Sequence, residues 1–411
     1  EALAVLMALD VWLDRRTFVR GVSAIPPGHR FAVRGGLSAR PYWEISEPPP
    51  GRDDRRGFIE AARAVRSALL DTLGQTLSDD CNLLTVSGGV DSSAVLALAT
   101  TRLNKPVHAV TFSTDWANDR TERPFVEAAL HSAGSHLERK TVLSPASTDY
   151  LDLVKAAPRR VFPTISPLLC ALPRITALRG RGAYAGGEFA DELFGSLTLP
   201  DVWMSDAPLR WLTARPELIP LALRRARSYA NFRNAIARGR APLREPGAVL
   251  GLLVPALVDV VREYHQAWRQ RLRRSPRGLL PWRLARAQVW KAELWECLAP
   301  LGIAPTMPFL NRRILEQAVA IPAHHHLSAT GKPVLREALR GLVPDSLRMR
   351  KDKGMGPRRG GGMVSVAFPG ELEGFVRAEW IERTPRAVRP VAALQSQAAL
   401  NMLAALCTHR T

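Results

Sequence analysis

Apolar positions in the first half of the chain alternate between two periods. From Phe58 to Leu73 they recur at helical spacing and predict an amphipathic helix. Leu83–Val86 is a short apolar run closed by Gly88 and Gly89, which predicts a buried strand. A helix then opens at Asp91 or Ser92 and runs through Ala94–Leu103. Val107–Ser113 reads as a strand, Thr121–Ala133 as a helix and His136–Val142 as a strand again. Ser166–Leu178 is helical, and Arg181–Ala185 is a strand running into Gly186 and Gly187. Strands alternating with helices predict an α/β fold, a parallel sheet with helices on both faces. Ligands on such sheets bind beyond the carboxyl ends of the strands, where Ser87 and Ser113 fall.

Outside this region the pattern changes. Ala24–Val33 reads as a turn into a strand and Pro41–Trp43 as a second extended piece, too little for a sheet that stands alone. Ser46–Gly51, rich in proline, and the polar residues after it read as a linker. The chain thus divides into 1–46, a linker over 47–57, and a large unit over 58–411. Within that unit 197–290 reads as a mostly helical insertion with arginine-rich faces, solvated in the simplest view.

The stretch Ser87–Gly88–Gly89–Val90–Asp91–Ser92–Ser93 joins a strand end to a helix start. Its glycines let the backbone turn sharply and approach a ligand. The first helical amides lack internal partners and sit at the positive end of the dipole, so they suit phosphate oxygens. Ser87, Ser92 and Ser93 add hydroxyls, and Asp91 can hold magnesium against the same phosphates. It is not a Walker loop, which needs a lysine after its second glycine. Gly186–Gly195 repeats the logic, with Gly187 in the turn and Asp191 and Glu192 after it.

These stretches resemble the signatures of the asparagine synthetase-like ATP pyrophosphatase superfamily, whose second motif usually reads G-x-G-x-D-E-x-F-G-G. Phe189 stands where relatives carry a small residue. The resemblance continues through Pro308–Phe309–Leu310–Asn311, Ile321–Pro322–Ala323, Lys332–Pro333–Val334–Leu335–Arg336–Glu337–Ala338, Val343–Pro344 and Arg350–Gly354. Residues 1–46 resemble the last strands of a glutaminase-like domain. The resemblance implies an adenine nucleotide α-hydrolase-like fold, with Ser87, Gly88, Gly89, Asp91, Ser92, Ser93, Ser113 and Gly187 at ATP and pyrophosphate. It implies Asp91 and Asp191 on magnesium, and Lys353 and Lys332 as the catalytic lysines, Lys351 being a rival to Lys353. Lysines suit phosphate and oxyanion intermediates that gain negative charge.

The reaction so implied is ATP-dependent amide formation through an acyl-adenylate. Ala304 and Asn311 replace carboxylates usual in asparagine synthetases, which points to the branch resembling lasso peptide cyclases. Its substrate would be a precursor peptide, with a leader-binding protein and a protease as partners. An asparagine synthetase-like or β-lactam-type enzyme acting on a small substrate stays open. So does a basic nucleic-acid or peptide-binding module without turnover.

Composition narrows this a little. The 411 residues carry 57 Lys and Arg against 38 Asp and Glu, a net +19 that fits ATP, an acidic substrate or nucleic acid. Nucleic acid is disfavoured because Tyr229, Phe232, Tyr264 and Trp268 form no regular stacking pattern. Cys81, Cys170, Cys297 and Cys407 are scattered, which suits reduced thiols in a cytoplasmic protein. No apolar run is long enough to span a bilayer. His324–His326 are consecutive loop residues and converge poorly on one ion.

Overall fold

A computed structural model describes residues 1–9, 11, 15–17, 21–32, 38–45, 57–112, 119–120, 122–143, 182–195, 250–251, 253–274, 284–285, 287–288, 291–292, 294–295, 298–299, 302–321, 323–326 and 331–350. The N-terminal part holds α1 (Ala2–Leu9) and an antiparallel pair, β1 (His29–Ala32) and β2 (Ser38–Pro41), with His29 opposite Pro41. After the pair, Trp43 and Ile45 pack against the main hydrophobic core.

That core forms around a five-stranded sheet. The chain enters through α2 (Phe58–Thr76), whose buried Ala61, Val65, Ala68, Leu69, Thr72 and Leu73 form the stripe its periodicity predicts. Next come β3 (Asn82–Thr85), α3 (Val90–Thr101), β4 (Val107–Phe112), α4 (Arg123–Ser132), β5 (Leu137–Leu143) and β6 (Gly182–Ala185). Further on are α5 (Pro255–Arg274), which packs on α1, and β7 (Ile303–Thr306). Three short helices complete the described chain: α6 (Arg312–Ala320), α7 (Pro333–Ala338) and α8 (Asp345–Arg348).

The strand order is β5-β4-β3-β6-β7, every neighbouring pair parallel. The fold is therefore α/β, a parallel sheet flanked by helices, of the adenine nucleotide α-hydrolase type. From β3 the chain steps outward to β4 and β5, then returns to the other side of β3 as β6. This reversal opens a crevice at the carboxyl ends of β3 and β6, the usual ligand position in such sheets. α3 starts at that crevice and is buried along Val90–Thr100, so its polar first turn is enclosed by protein.

Among the described residues no helix is long and apolar enough to cross a membrane. Ser113 lies outside the described residues, as do Ser166–Leu178 and most of 197–290.

Candidate active site at the β3 and β6 strand ends

The loop from β3 to α3 is shaped by its own side chains. Gly88 has φ +67°, and a Cβ there would lie 2.8 Å from Val126 N and 2.9 Å from Phe125 Cβ, so α4 leaves room only for glycine. Ser92 Oγ accepts from Ser87 N at 3.1 Å, lies 3.2 Å from Ser87 Oγ and donates to Gly89 O at 3.3 Å. Ser92 thus braces the loop from within. Ser87 stays exposed, and the buried Ser93 hydroxyl has no hydrogen-bond partner among the described residues. The amides of Gly88, Gly89 and Val90 likewise donate to no described residue.

The loop after β6 packs directly on the start of α3. At Gly187 a Cβ would fall 2.5 Å from Ser92 N and 2.8 Å from Asp91 Cβ. That contact carries Asp191, at the start of a π turn over Asp191–Gly195, toward Asp91. Lys332 closes the group: its Nζ bonds the buried Asp91 carboxylate and lies 2.7 Å from Asp191 Oδ1. Two carboxylates and a lysine, from positions 91, 191 and 332, therefore share one point at the sheet rim. Gly331 and Lys332 both have left-handed backbones, φ +70° and +53°, which turn the ammonium back over the loop. A lysine in that region costs about 1–2 kcal/mol.

Two carboxylates meeting on the Lys332 ammonium are hard oxygen donors of the kind that magnesium takes. Lys353 and its rival Lys351 lie outside the described residues. His325 packs edge-on against Phe58 at 5.6 Å, while His326 stacks on Phe194 at 6.2 Å and approaches Ala318 O at 3.3 Å. The two rings therefore turn to separate partners.

Glu188 was not singled out by sequence reasoning. It is half-buried on the loop after β6 with its carboxylate turned inward, and Tyr184 OH donates to its Oε1 at 2.7 Å. Tyr184 OH also lies 3.2 Å from Thr85 Oγ1. The other carboxyl oxygen, Oε2, has no partner among the described residues. Burial pushes the Glu188 carboxyl above its ordinary value, against hydrogen bonds that lower it, with the Asp91 charge adding to the rise. Burial, then the Glu188 charge, hold the Tyr184 phenol well above its usual range. Gly186 makes room for this group, since a side chain there would overlap the Glu188 carboxylate. The available sequence signal was a carboxylate directly after a glycine pair at a strand end.

Asn311 precedes α6, and its side chain accepts from Arg313 N at 2.9 Å as an N-cap. Its amide oxygen does there what an aspartate oxygen would do. Ala304 sits exposed on β7.

Residues 64–403 match the asparagine synthase family, which is most of the chain. The chain belongs to that family. Similarity to individual relatives is lower. Asparagine synthetase [glutamine-hydrolyzing] 3 of Bacillus subtilis is 24% identical over 354 residues, 81% of this chain and 54% of that protein. Amidase chyE of Penicillium rubens is 33% identical over 89 residues, 21% of this chain and 13% of that protein. The chain thus spans about half or less of the length of these curated relatives. Asp91, Asp191, Lys332 and Glu188 all fall within the region matched to the asparagine synthase family.

Proposed function

We propose that this chain is an ATP-dependent, AMP-forming carbon–nitrogen ligase that closes a macrolactam in a precursor peptide. The meeting of Asp91, Asp191 and Lys332 beside a glycine loop, in an asparagine synthase family chain, carries the reading. A substrate carboxylate oxygen attacks the α-phosphorus of ATP, the bond to the β-phosphate breaks, and pyrophosphate leaves. The peptide α-amine then attacks the acyl carbon, loses a proton, and AMP departs.

The amides and hydroxyls of 87–93 hold the phosphates, and the Lys332 ammonium stabilises charge that grows on them. Magnesium on Asp91 and Asp191 would supply further positive charge to the leaving pyrophosphate. Lys353 is assigned to the reacting acyl phosphate by resemblance, as Ser113 is to adenine. Glu188, a carboxylate on the same loop as Asp191 and held by Tyr184 OH, takes the proton from the amine. Macrolactam closure rests on Ala304 and Asn311, and Asn311 weighs less now that it caps a helix. The reading carries a leader-binding protein and a protease with it, in the cytoplasm.

Mass spectrometry of peptides with a free α-amine and an internal Asp or Glu, incubated with ATP and magnesium, tests it. Loss of one water with AMP release is expected. ADP release overturns adenylation. AMP release with a small carboxylate and ammonia, and no peptide product, favours a small-substrate amide synthetase. An Asp91→Ala protein that keeps tight nucleic-acid binding, with no turnover in wild type, favours the non-catalytic module.

A further inference from the structure

Arg350 lies 262 residues from the glycine loop in sequence and touches it in space. Its Nη1 donates to Gly88 O at 3.2 Å and to Glu122 Oε2 at 3.0 Å, and its Nη2 donates to Glu122 Oε1 at 2.7 Å. The guanidinium lies 3.9 Å from the Phe125 ring centroid. Phe125 and Val126 are the residues that a side chain at Gly88 would strike. Arg350 is 8% exposed and the Glu122 side chain 21%, so the fork pairs largely out of water. Arg336 holds the same segment from behind: its Nη2 donates to Arg350 O at 3.0 Å, its Nη1 to Arg348 O and its Nε to Gly331 O at 2.8 Å. One arginine thereby links the backbone next to Lys332 with the backbone that carries Arg350.

In a trans peptide the carbonyl and the next N–H point in opposite directions. Holding Gly88 O toward Arg350 turns the Gly89 N–H away from Arg350, and this amide donates to no described residue. The flanking glycines give the peptide plane little stiffness of its own, so an outside anchor decides which way it faces. We propose that Arg350, aimed by Glu122 and Phe125, is a positioning residue that fixes the Gly88–Gly89 peptide so that its N–H meets a pyrophosphate oxygen. The inference rests on the ligase reading and adds a residue that acts through the loop without touching the phosphates. Its effect belongs to ligands carrying a β-phosphate, and AMP does not need it.

Calorimetric titration of the full chain with magnesium pyrophosphate, magnesium ATP and AMP tests this without knowledge of the acyl substrate. Arg350→Ala should weaken pyrophosphate and ATP roughly ten- to a hundredfold, the worth of one hydrogen bond to a charged group, and leave AMP within about twofold. Arg350→Lys keeps the charge and a donor for Gly88 O but loses the fork, so its pyrophosphate affinity should fall between the two. Equal weakening of AMP and pyrophosphate means a merely structural arginine and overturns the proposal. So does unchanged pyrophosphate binding in either variant. If Arg350→Ala fails to fold, the Lys variant and Glu122→Gln give the same comparison, with thermal unfolding as the check. A wild-type chain that takes neither pyrophosphate nor ATP overturns the ligase reading and the role of Arg350 together, whereas selective failure in the variants spares that reading.

Discussion

Phe189 combines a backbone of φ +70° with a ring only 7% exposed, and the two features pull in opposite directions. The left-handed region penalises a Cβ by about 1–2 kcal/mol, which favours glycine at this position. Emptying a buried aromatic site costs about 3–5 kcal/mol, so packing outweighs strain. Phe189→Gly is expected to lower stability by about 1–4 kcal/mol in urea unfolding, and a gain in stability would show the ring to be poorly packed. Glu188 poses a different balance, because its folded-state proton affinity is raised. Such a group favours the folded state most below the ordinary glutamate value, and that contribution is lost as pH rises through the folded value. Glu188→Gln cannot titrate, so stability measured from acid to neutral pH should lose this decline relative to wild type. If Glu188 is the proton acceptor, the same variant should keep ATP–pyrophosphate exchange while losing amide formation. Loss of both together would place Glu188 in the fold alone.

Elements deliver these residues by close contact between loops more than by their regular lengths. α3 needs the loop after β6 pressed against its first turn, and Gly187 permits the contact. Gly187→Ala puts a methyl 2.5 Å from Ser92 N, backbone that cannot step aside. The expected result is loss of ATP binding by calorimetry with a stability cost of about 1–3 kcal/mol, the usual range for overpacking. α6 illustrates the opposite case, where a family difference is chemically neutral. Asn311 and aspartate cap helices about equally well, so Asn311→Asp should leave turnover and melting temperature nearly unchanged. Asn311→Ala should cost about 1 kcal/mol. A large change in product with Asn311→Asp would return this position to substrate choice.

Across the whole molecule, what could be read from the chain is what local chemistry encodes. α2, α3 and the strands β3 to β6 follow from period and glycine punctuation, with ends that coincide or shift by up to three residues. β7 escaped because Pro305 argues against a strand, and the sheet edge is where proline is tolerated. α1 escaped because an apolar run of eight residues has no helical stripe to read. Asp91 and Asp191 were legible as carboxylates after glycine turns, and Lys332 through its motif. Glu188 was not, and Arg350 was legible only as a motif position without a role, because their meaning lies in partners that folding brings near, 262 residues away for Arg350 and Gly88. Net charge is the global property that local reading leaves ambiguous. A surplus of +19 draws anions of any kind, but the forms differ in salt dependence. ATP bound at one rim site meets a few cations, Lys332 foremost, so its affinity should fall only modestly between 50 and 200 mM salt. A nucleic-acid groove neutralising about six to ten phosphates would lose roughly 10³–10⁵ over the same range. Fluorescence anisotropy of labelled RNA and DNA beside ATP titrations separates the two. The expected result is weak nucleic-acid binding that salt abolishes and excess ATP does not compete away. Tight, salt-resistant RNA binding displaced by ATP would instead make the rim a nucleic-acid site, and the basic surface its continuation.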